Sequence, residues 1–227
     1  MLPETLAFLA SGRQVIHQAG VETELIVADN NSTDATAEIA RQAGAIVVFE
    51  PVNQIGRARN SGAASATGDW LLFLDADSKP SHELLLDLVS VAKDEGIIGG
   101  GVTLRQDGNF FGFGVALRLW NRWSRISKEA AGSFLYCRRE AFETLRGFDA
   151  KFFAGEEIDF SRRLKKLARE RGQKMVILHR HPLLTSSRKA TLYKPREFFG
   201  FMMKTIFRRG KTLEKREDCP IWYDGRR

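Results

Sequence analysis

Cysteine is scarce in this sequence, because the 227 residues include only Cys137 and Cys219. Two cysteines cannot form a disulfide framework for a chain of this length, and their spacing matches no zinc-binding pattern. The sequence also lacks an apolar run near the roughly 18 residues that a membrane-spanning helix needs. Glu4 and Arg13 interrupt any signal-peptide core at the N-terminus. We therefore expect a soluble protein of a reducing, cytoplasmic compartment.

Low-complexity segments are absent as well, and the hydrophobic fraction of 43% and charged fraction of 28% are near globular averages. This composition excludes the intrinsically disordered and collagen-like classes. The length allows one well-cored domain with an appendage. We predict a domain over residues 1–190 and a basic, aromatic helix and tail over 191–227.

Charge is distributed unevenly along the chain. Residues 1–100 contain 6 Lys/Arg and 14 Asp/Glu, whereas residues 101–227 contain 29 and 14, so the two parts carry −8 and +15. Such asymmetry indicates that the second part meets an anionic partner, which could be a nucleic acid, a phosphorylated substrate or an acidic membrane face. A solvated basic surface without a partner is the alternative.

The first hundred residues alternate between strand-like and helix-like segments. The strand-like segments are short apolar runs that end in turn residues, namely ELIVAD, AIVVFE, WLLFLDAD and IIGGGVTL. This alternation predicts an α/β protein with a doubly wound, mostly parallel sheet and flanking helices. Ligands of such sheets bind beyond the carboxyl ends of the strands.

Three aspartates stand at those strand ends: Asp29 ends ELIVAD, and Asp75 and Asp77 end WLLFLDAD. Alternation along a strand places Asp75 and Asp77 on the same side. Carboxylates gathered at one edge repel each other unless a cation lies between them, and Mg²⁺ or Mn²⁺ bound to a diphosphate fits that requirement. The alternative is that these acids only form turns.

Two arginines and an asparagine, Arg57, Arg59 and Asn60, precede the third strand on a predicted helix of small residues. A guanidinium at this place could neutralise phosphate oxygens or hold Asp29 and Asp75, because arginine gives fixed bidentate geometry to either group. Both interpretations place the helix near the site.

Three blocks occur in a familiar order: VADNNSTDAT, then GRARNSGAASATGDWLLFLDADS, then GSFLYCRREAFETLRGFDAKFFAGEEIDFSRRL. Together they resemble a family 2 glycosyltransferase of the GT-A fold. The resemblance implies a nucleotide-diphosphate sugar donor, a divalent Mn²⁺ or Mg²⁺ ion, and transfer to an acceptor hydroxyl with inversion. It also implies that residues 1–104 form the nucleotide-binding half and 105–190 the acceptor and catalytic half.

The same resemblance implies a role for individual residues. Asp77 corresponds to the metal ligand, with Asp75 at the ribose, diphosphate or metal. The residues implied at the nucleotide are Asp29, Asn31, Arg57, Asn60, Asp75, Ala76 and, as a phosphate clamp, Arg188.

The segment GEEIDF resembles the acidic block that supplies the catalytic base in this family. Glu157 stands where an aspartate is usual, which leaves the base open between Glu157, Glu156 and Asp159. An inverting transfer needs a carboxylate to accept the proton of the acceptor hydroxyl. The alternative is ordinary helix chemistry, since acids are favoured in the first turn of a helix.

His179 and His181 end the strand-like segment KMVILHRHP. Either imidazole could complete a metal shell with Asp77, because Mn²⁺ tolerates imidazole. A polar surface position is the alternative for both.

The start of the chain departs from the family pattern, because the family's first buried strand has no counterpart before the first helix. That strand is central in the family's sheet, so its absence would expose neighbouring strand edges. We expect an N-terminally truncated form of the fold.

The tail over 191–227 mixes aromatic and basic residues, and from Arg188 onward the chain carries 12 Lys/Arg and 5 Asp/Glu. A basic amphipathic helix can lie on an anionic inner membrane face, which would suit a lipid-linked acceptor. Docking on the domain is the alternative, and a glycan or a small molecule remains open as the acceptor.

Two other functions compete with sugar transfer. A haloacid-dehalogenase-like phosphatase also places Asp-x-Asp after an apolar strand, although Lys79 stands where it needs Thr or Val. A basic nucleic-acid-binding module would explain the sequence pI of about 9.6. It does not explain the acids at the strand ends, which would repel phosphate, so we expect no nucleic-acid partner.

Overall fold

The computed structural model describes residues 2–106, 111–130, 132–185 and 211–223. In chain order, its helices and strands are α1 (Leu2–Gln18), β1 (Ile26–Asp29), α2 (Thr36–Gln42), β2 (Ile46–Phe49), α3 (Ile55–Ala64), β3 (Trp70–Phe73), α4 (His82–Ala92), β4 (Ile97–Gln106), α5 (Phe111–Ser127), β5 (Leu135–Arg138), α6 (Arg139–Thr144), α7 (Glu156–Glu170), β6 (Lys174–Thr185) and α8 (Pro220–Tyr223). Two 3₁₀ turns, Lys211–Glu214 and Arg216–Asp218, precede α8.

The described strands form two sheets. β1 pairs in parallel with β2, and the other sheet has the order β3-β5-β4-β6. β6 is parallel to β4, whereas β5 is antiparallel to both of its neighbours. The predicted α/β class with a mostly parallel sheet and flanking helices is confirmed. The sequence analysis does not predict β5, which places an antiparallel strand between β3 and β4.

Side chains of the four-stranded sheet alternate between two hydrophobic clusters, as the pleat requires. Leu135 and Cys137 pack with α6 and α7 residues on one face, and the intervening Tyr136 packs with α1 and α4 residues on the other. Helices therefore cover both faces of this sheet. The α7 face is rich in aromatic contacts, with the Phe148 and Phe160 ring centroids 4.9 Å apart.

Helix α4 begins at a serine N-cap and packs against α1. Ser81 is its N-cap, and the Ser81 side chain accepts a hydrogen bond from the Leu84 backbone N–H. Leu84 and Leu85 are then buried beneath α1, where Gly12 allows Leu85 to approach the helix backbone. This packing fixes α1 beside the turn that follows β3.

β1 and β3 belong to different sheets among the described residues. Glu24 links the starts of the two strands, because its Oε1 accepts hydrogen bonds from the backbone N–H groups of Thr67 (2.7 Å) and Gly68 (2.9 Å). The expected truncation and the predicted division at residue 190 both stay predictions. Residues 211–223 pack beside the start of α7, where the Phe153 N–H donates to the Leu213 carbonyl at 2.7 Å.

Candidate functional site

The turn after β3 is held in place from two sides. The Asp75 backbone N–H donates to Ser133 Oγ at 3.0 Å, and Thr5 Oγ1 donates to the Ala76 carbonyl at 2.9 Å. The Ser78 N–H closes the turn on the Asp75 carbonyl. The carboxylates of Asp75 and Asp77 thus follow β3 on a short, fixed segment, and both residues are partly exposed.

Arg59 connects this turn to the start of α7. Its Nη2 donates to Asp75 Oδ1 at 3.0 Å, and its Nη1 donates to Glu156 Oε1 at 3.0 Å. The same Nη1 lies 3.9 Å from Glu157 Oε2. The Arg59 side chain is only 13% exposed, so the guanidinium is a largely buried charge shared by three carboxyl groups. We call these four residues the Arg59 cluster.

Glu156 is the buried acid of the Arg59 cluster, with an exposed fraction of 2%. Burial and, to a smaller extent, the adjacent Glu157 raise the pKa of Glu156 to about 8, although Arg59 opposes the shift. Glu156 is therefore mainly protonated at neutral pH. A buried, protonated carboxyl is poorly suited to accept a proton from an external hydroxyl.

Glu157 and Asp159 face different surroundings on the first turn of α7. Glu157 is 16% exposed at its side chain, and its Oε1 accepts a hydrogen bond from the Gly132 N–H at 3.1 Å. Asp159 Oδ2 instead pairs with Arg163 Nε at 2.8 Å. Arg163 also donates to the carbonyls of Leu145 and Gly147. Of the three predicted acids, Glu156 and Glu157 belong to the cluster and Asp159 belongs to a neighbouring structural pair.

Asn60 and Arg57 have partners within the protein. The Asn60 side chain donates to the Phe148 carbonyl at 2.8 Å and accepts from the Phe148 N–H at 2.9 Å. Arg57 Nε donates to Glu50 Oε1 at 3.1 Å, and Ser61 Oγ donates to the other oxygen of Glu50. Arg59, rather than Arg57, therefore reaches Asp75 after β3. The nucleotide contacts implied for Asn60 and Arg57 stay predictions.

Asp29 lies at the carboxyl end of β1 and is 7% exposed. Its Oδ1 accepts a hydrogen bond from the Ser32 N–H at 3.0 Å, which holds a turn in which Asn31 has a φ of 59°. Asp29 is not one of the four residues of the Arg59 cluster. Arg188, the predicted phosphate clamp, lies outside the described residues.

The two predicted histidine ligands lie within β6, which continues to Thr185 and so does not end at the histidines as predicted. His181 Nδ1 is 3.0 Å from Asp87 Oδ2 on α4, and His179 Nδ1 is 3.3 Å from the Ile177 carbonyl oxygen. Within the described ranges, no group of three His, Cys, Asp or Glu side chains is arranged to hold a metal ion. In the described part of the chain, His179 and His181 therefore do not form a metal-coordination shell with Asp75 and Asp77.

Two features of the site were not predicted from the sequence. Ser133 and Gly132 contact Asp75 and Glu157 from the segment before β5, and that strand was itself not predicted. Arg59 is expected near the site from its place before the third strand, but it is not among the predicted site residues. Arg57 and Arg59 are two residues apart, and side chains two apart on a helix point in nearly opposite directions. This spacing indicates that only one of the two arginines can face the aspartates, and it is the signal that could have identified Arg59.

The chain matches a known protein family and several curated proteins. The family model described as Glycosyl transferase family 2 matches residues 6–146. The glycosyltransferase AglE of Haloferax volcanii is 26% identical over 204 residues, which are 83% of this chain and 62% of that protein. A TPR repeat-containing protein of Synechococcus elongatus is 46% identical over 65 residues, which are 28% of this chain and 15% of its own length. The chain thus spans less than two thirds of these curated relatives.

Solved structures share the overall fold. Glucosyl-3-phosphoglycerate synthase of Mycobacterium tuberculosis, solved with Mn²⁺, UDP and phosphoglyceric acid, aligns with a TM-score of 0.60 at 21% identity over 89% of this chain and 71% of that one. Mannosyl-3-phosphoglycerate synthase of Rubrobacter xylanophilus aligns with a TM-score of 0.60 at 16% identity over 92% and 70%. With the family match covering more than half of its length, the chain belongs to glycosyl transferase family 2 and has the GT-A fold.

Proposed function

We propose that this chain binds a nucleotide-diphosphate sugar together with a divalent cation and transfers the sugar to an acceptor hydroxyl. The observation that carries the proposal is the Arg59 cluster, which brings the aspartate that follows β3 to the acids that begin α7. Donor-side and acceptor-side carboxylates are thereby parts of one connected cluster. The family match favours this function over the phosphatase and nucleic-acid-binding alternatives.

The carboxylate oxygens of Asp75 and Asp77, which follow β3, are suitable ligands for a hard divalent cation. Asp77 and Asp75 offer carboxylate oxygens on a fixed turn, and Mg²⁺ and Mn²⁺ prefer such ligands, often with substrate phosphates completing the shell. Asp75 is the weaker ligand of the two, because Arg59 already binds one of its oxygens. A bound cation would neutralise negative charge on the diphosphate leaving group. The Mn²⁺ and UDP in the mycobacterial synthase structure support this assignment.

Glu157 is our candidate for the catalytic base. It is partly exposed and belongs to the cluster, whereas Glu156 is buried and protonated and Asp159 is paired with Arg163. In the proposed step, the acceptor oxygen bonds to the anomeric carbon while the bond from that carbon to the diphosphate oxygen breaks. The hydroxyl proton passes to Glu157, and direct displacement inverts the anomeric centre.

The other donor contacts are proposed from the sequence resemblance. Asp29 and Asn31 would contact the nucleoside, and Ala76, between the two aspartates, would line the pocket. Arg57, Asn60 and Arg188 are kept as further nucleotide-binding candidates. For Asn60, a nucleotide contact would have to coexist with its two hydrogen bonds to Phe148.

The acceptor class is open between a glycan, a lipid-linked molecule and a small molecule such as the phosphoglyceric acid of the mycobacterial structure. No helix in the described part of the chain is long and apolar enough to cross a membrane. We propose a cytoplasmic location, with attachment to the inner membrane face as a further hypothesis.

A panel of nucleotide sugars tests the proposal directly. Thermal unfolding is measured with each compound, with and without Mn²⁺, because a ligand that binds only the folded state raises the unfolding temperature. We expect one or a few nucleotide sugars to stabilise the protein in a Mn²⁺-dependent manner. Equal unfolding temperatures with every compound, in the presence and absence of Mn²⁺, would contradict the proposal.

A further inference from the structure

Helix α5 has an anchored side that faces the protein. The Asn121 side chain accepts from the Leu104 N–H at 3.0 Å and donates to the Leu104 carbonyl at 2.8 Å. Ser124 is 2% exposed and donates to the Glu129 carbonyl. These contacts fix the orientation of α5 about its own axis against β4, so its opposite side must face outward.

The outward side of α5 is apolar. Leu119, Trp123 and Ile126 are 65%, 56% and 71% exposed, respectively. Their spacing of four and three residues places them on one face of the helix. Isolated exposed hydrophobic residues are common on protein surfaces, but three large ones in a row on one helix form a continuous strip. We call these three residues the α5 strip.

Basic residues adjoin the α5 strip. Arg118, Arg122 and Arg125 are exposed on α5, and exposed Lys128 follows the end of the helix. The helix sequence contains no aspartate or glutamate. An exposed apolar strip beside cationic side chains is the pattern of helices that lie in the plane of a membrane surface.

We propose that the α5 strip binds an anionic lipid bilayer, with the helix parallel to the surface and its arginines against the lipid headgroups. Charge complementarity selects this occupant. Residues 186–210 of the same chain contain seven Lys/Arg and one Glu, so they would bring like charge to α5. A second copy packed strip to strip would also bring like charge. An anionic membrane supplies both an apolar layer and negative charge.

Helix α5 is close along the chain to residues that contact the Arg59 cluster. Gly132 and Ser133 come a few residues after Ser127, the last residue of α5. The Gly132 N–H donates to Glu157, and Ser133 Oγ accepts from the Asp75 N–H. A membrane-bound α5 is therefore one short segment from the Arg59 cluster. This part rests on the proposed function, and it favours an acceptor carried by the membrane. The binding to lipid does not depend on transferase activity.

Vesicle flotation tests the proposal with the 227-residue chain. We expect the protein to float with vesicles that contain phosphatidylglycerol and to stay in solution with vesicles of phosphatidylcholine alone. The triple variant L119S/W123S/I126S should lose at least about tenfold in apparent affinity, because its apolar contribution is gone. Replacing Arg118 or Arg122 by glutamine should weaken binding by about fivefold each.

The matched controls are Phe49→Ser, which removes an apolar side chain that is 60% exposed on β2, and Arg41→Gln on α2. Both should float like the wild type. If the triple variant does not fold by circular dichroism, the single variant Ile126→Ser replaces it. The proposal is wrong if the wild type binds no anionic vesicles or if the strip variants float equally well. It is also wrong if the wild type is a dimer in solution that the strip variants convert to a monomer.

Discussion

Arg59 and Asp75, sixteen residues apart, are joined by a hydrogen-bonded ion pair of 3.0 Å whose guanidinium is largely buried. The same guanidinium donates to Glu156 at 3.0 Å and lies 3.9 Å from Glu157, so it holds carboxyl groups of two distant segments together. Removing it would leave those carboxyl groups together without a cation, which is the costly way to break a buried pair.

Replacing Arg59 by alanine should therefore lower the free energy of unfolding by roughly 3 kcal/mol. Urea denaturation measures the change. Arg41→Ala is the matched control, because Arg41 pairs with Glu38 on the surface and should contribute less than about 1 kcal/mol. Similar losses in the two variants would show that the Arg59 cluster does not stabilise the fold.

The free energy of unfolding should fall as the pH rises from about 4.5 to about 8, because Glu156 keeps its proton in the folded protein over this range. The folded protein keeps a proton on Glu156 up to a pKa of about 8, whereas the unfolded chain releases it near 4.5. The folded state therefore binds more protons between these values, and the free energy of unfolding decreases with increasing pH there. Urea denaturation at several pH values should show this slope.

Glu156→Gln should flatten the same slope, because glutamine fills the site without a titrating proton. Glu170→Gln, at an exposed position near the end of α7, is the control and should keep the wild-type slope. An unchanged slope in Glu156→Gln would mean that burial does not hold the proton on this carboxyl.

Glu157→Gln should reduce kcat by about 10²- to 10⁴-fold if Glu157 accepts the acceptor proton. Donor binding, measured by the Mn²⁺-dependent rise in unfolding temperature, should persist because the amide keeps the shape of the side chain. Asp159→Asn separates the candidates, since Asp159 is paired with Arg163. A larger loss of kcat in Asp159→Asn than in Glu157→Gln would reassign the base.

Asp77→Ala should abolish the Mn²⁺-dependent part of the stabilisation by a nucleotide sugar, because a principal hard oxygen ligand is lost. Asp69→Ala, at an exposed position just before β3, is the matched control and should keep the Mn²⁺-dependent stabilisation. Full Mn²⁺-dependent stabilisation of Asp77→Ala would exclude this residue as a metal ligand.

Local sequence predicted the elements that local interactions determine. Apolar runs followed by acids indicated β1 and β3 with Asp29 and Asp75 at or beyond their ends, and the acidic first turn indicated the start of α7. These patterns depend on strand and helix periods and on turn residues that lie close together in the chain. The three ordered blocks also predicted the family correctly.

Only the tertiary structure decided which of these side chains meet. Arg57 and Arg59 are the same type of residue on the same helix, but their side chains point in different directions from α3. Arg57 therefore binds Glu50, whereas Arg59 joins Asp75 to Glu156 at the start of α7. The orientation of His181 toward Asp87 depends likewise on the packing of α4 against β6. Such partners are distant in sequence, and burial against particular neighbours selects them, which no local period encodes.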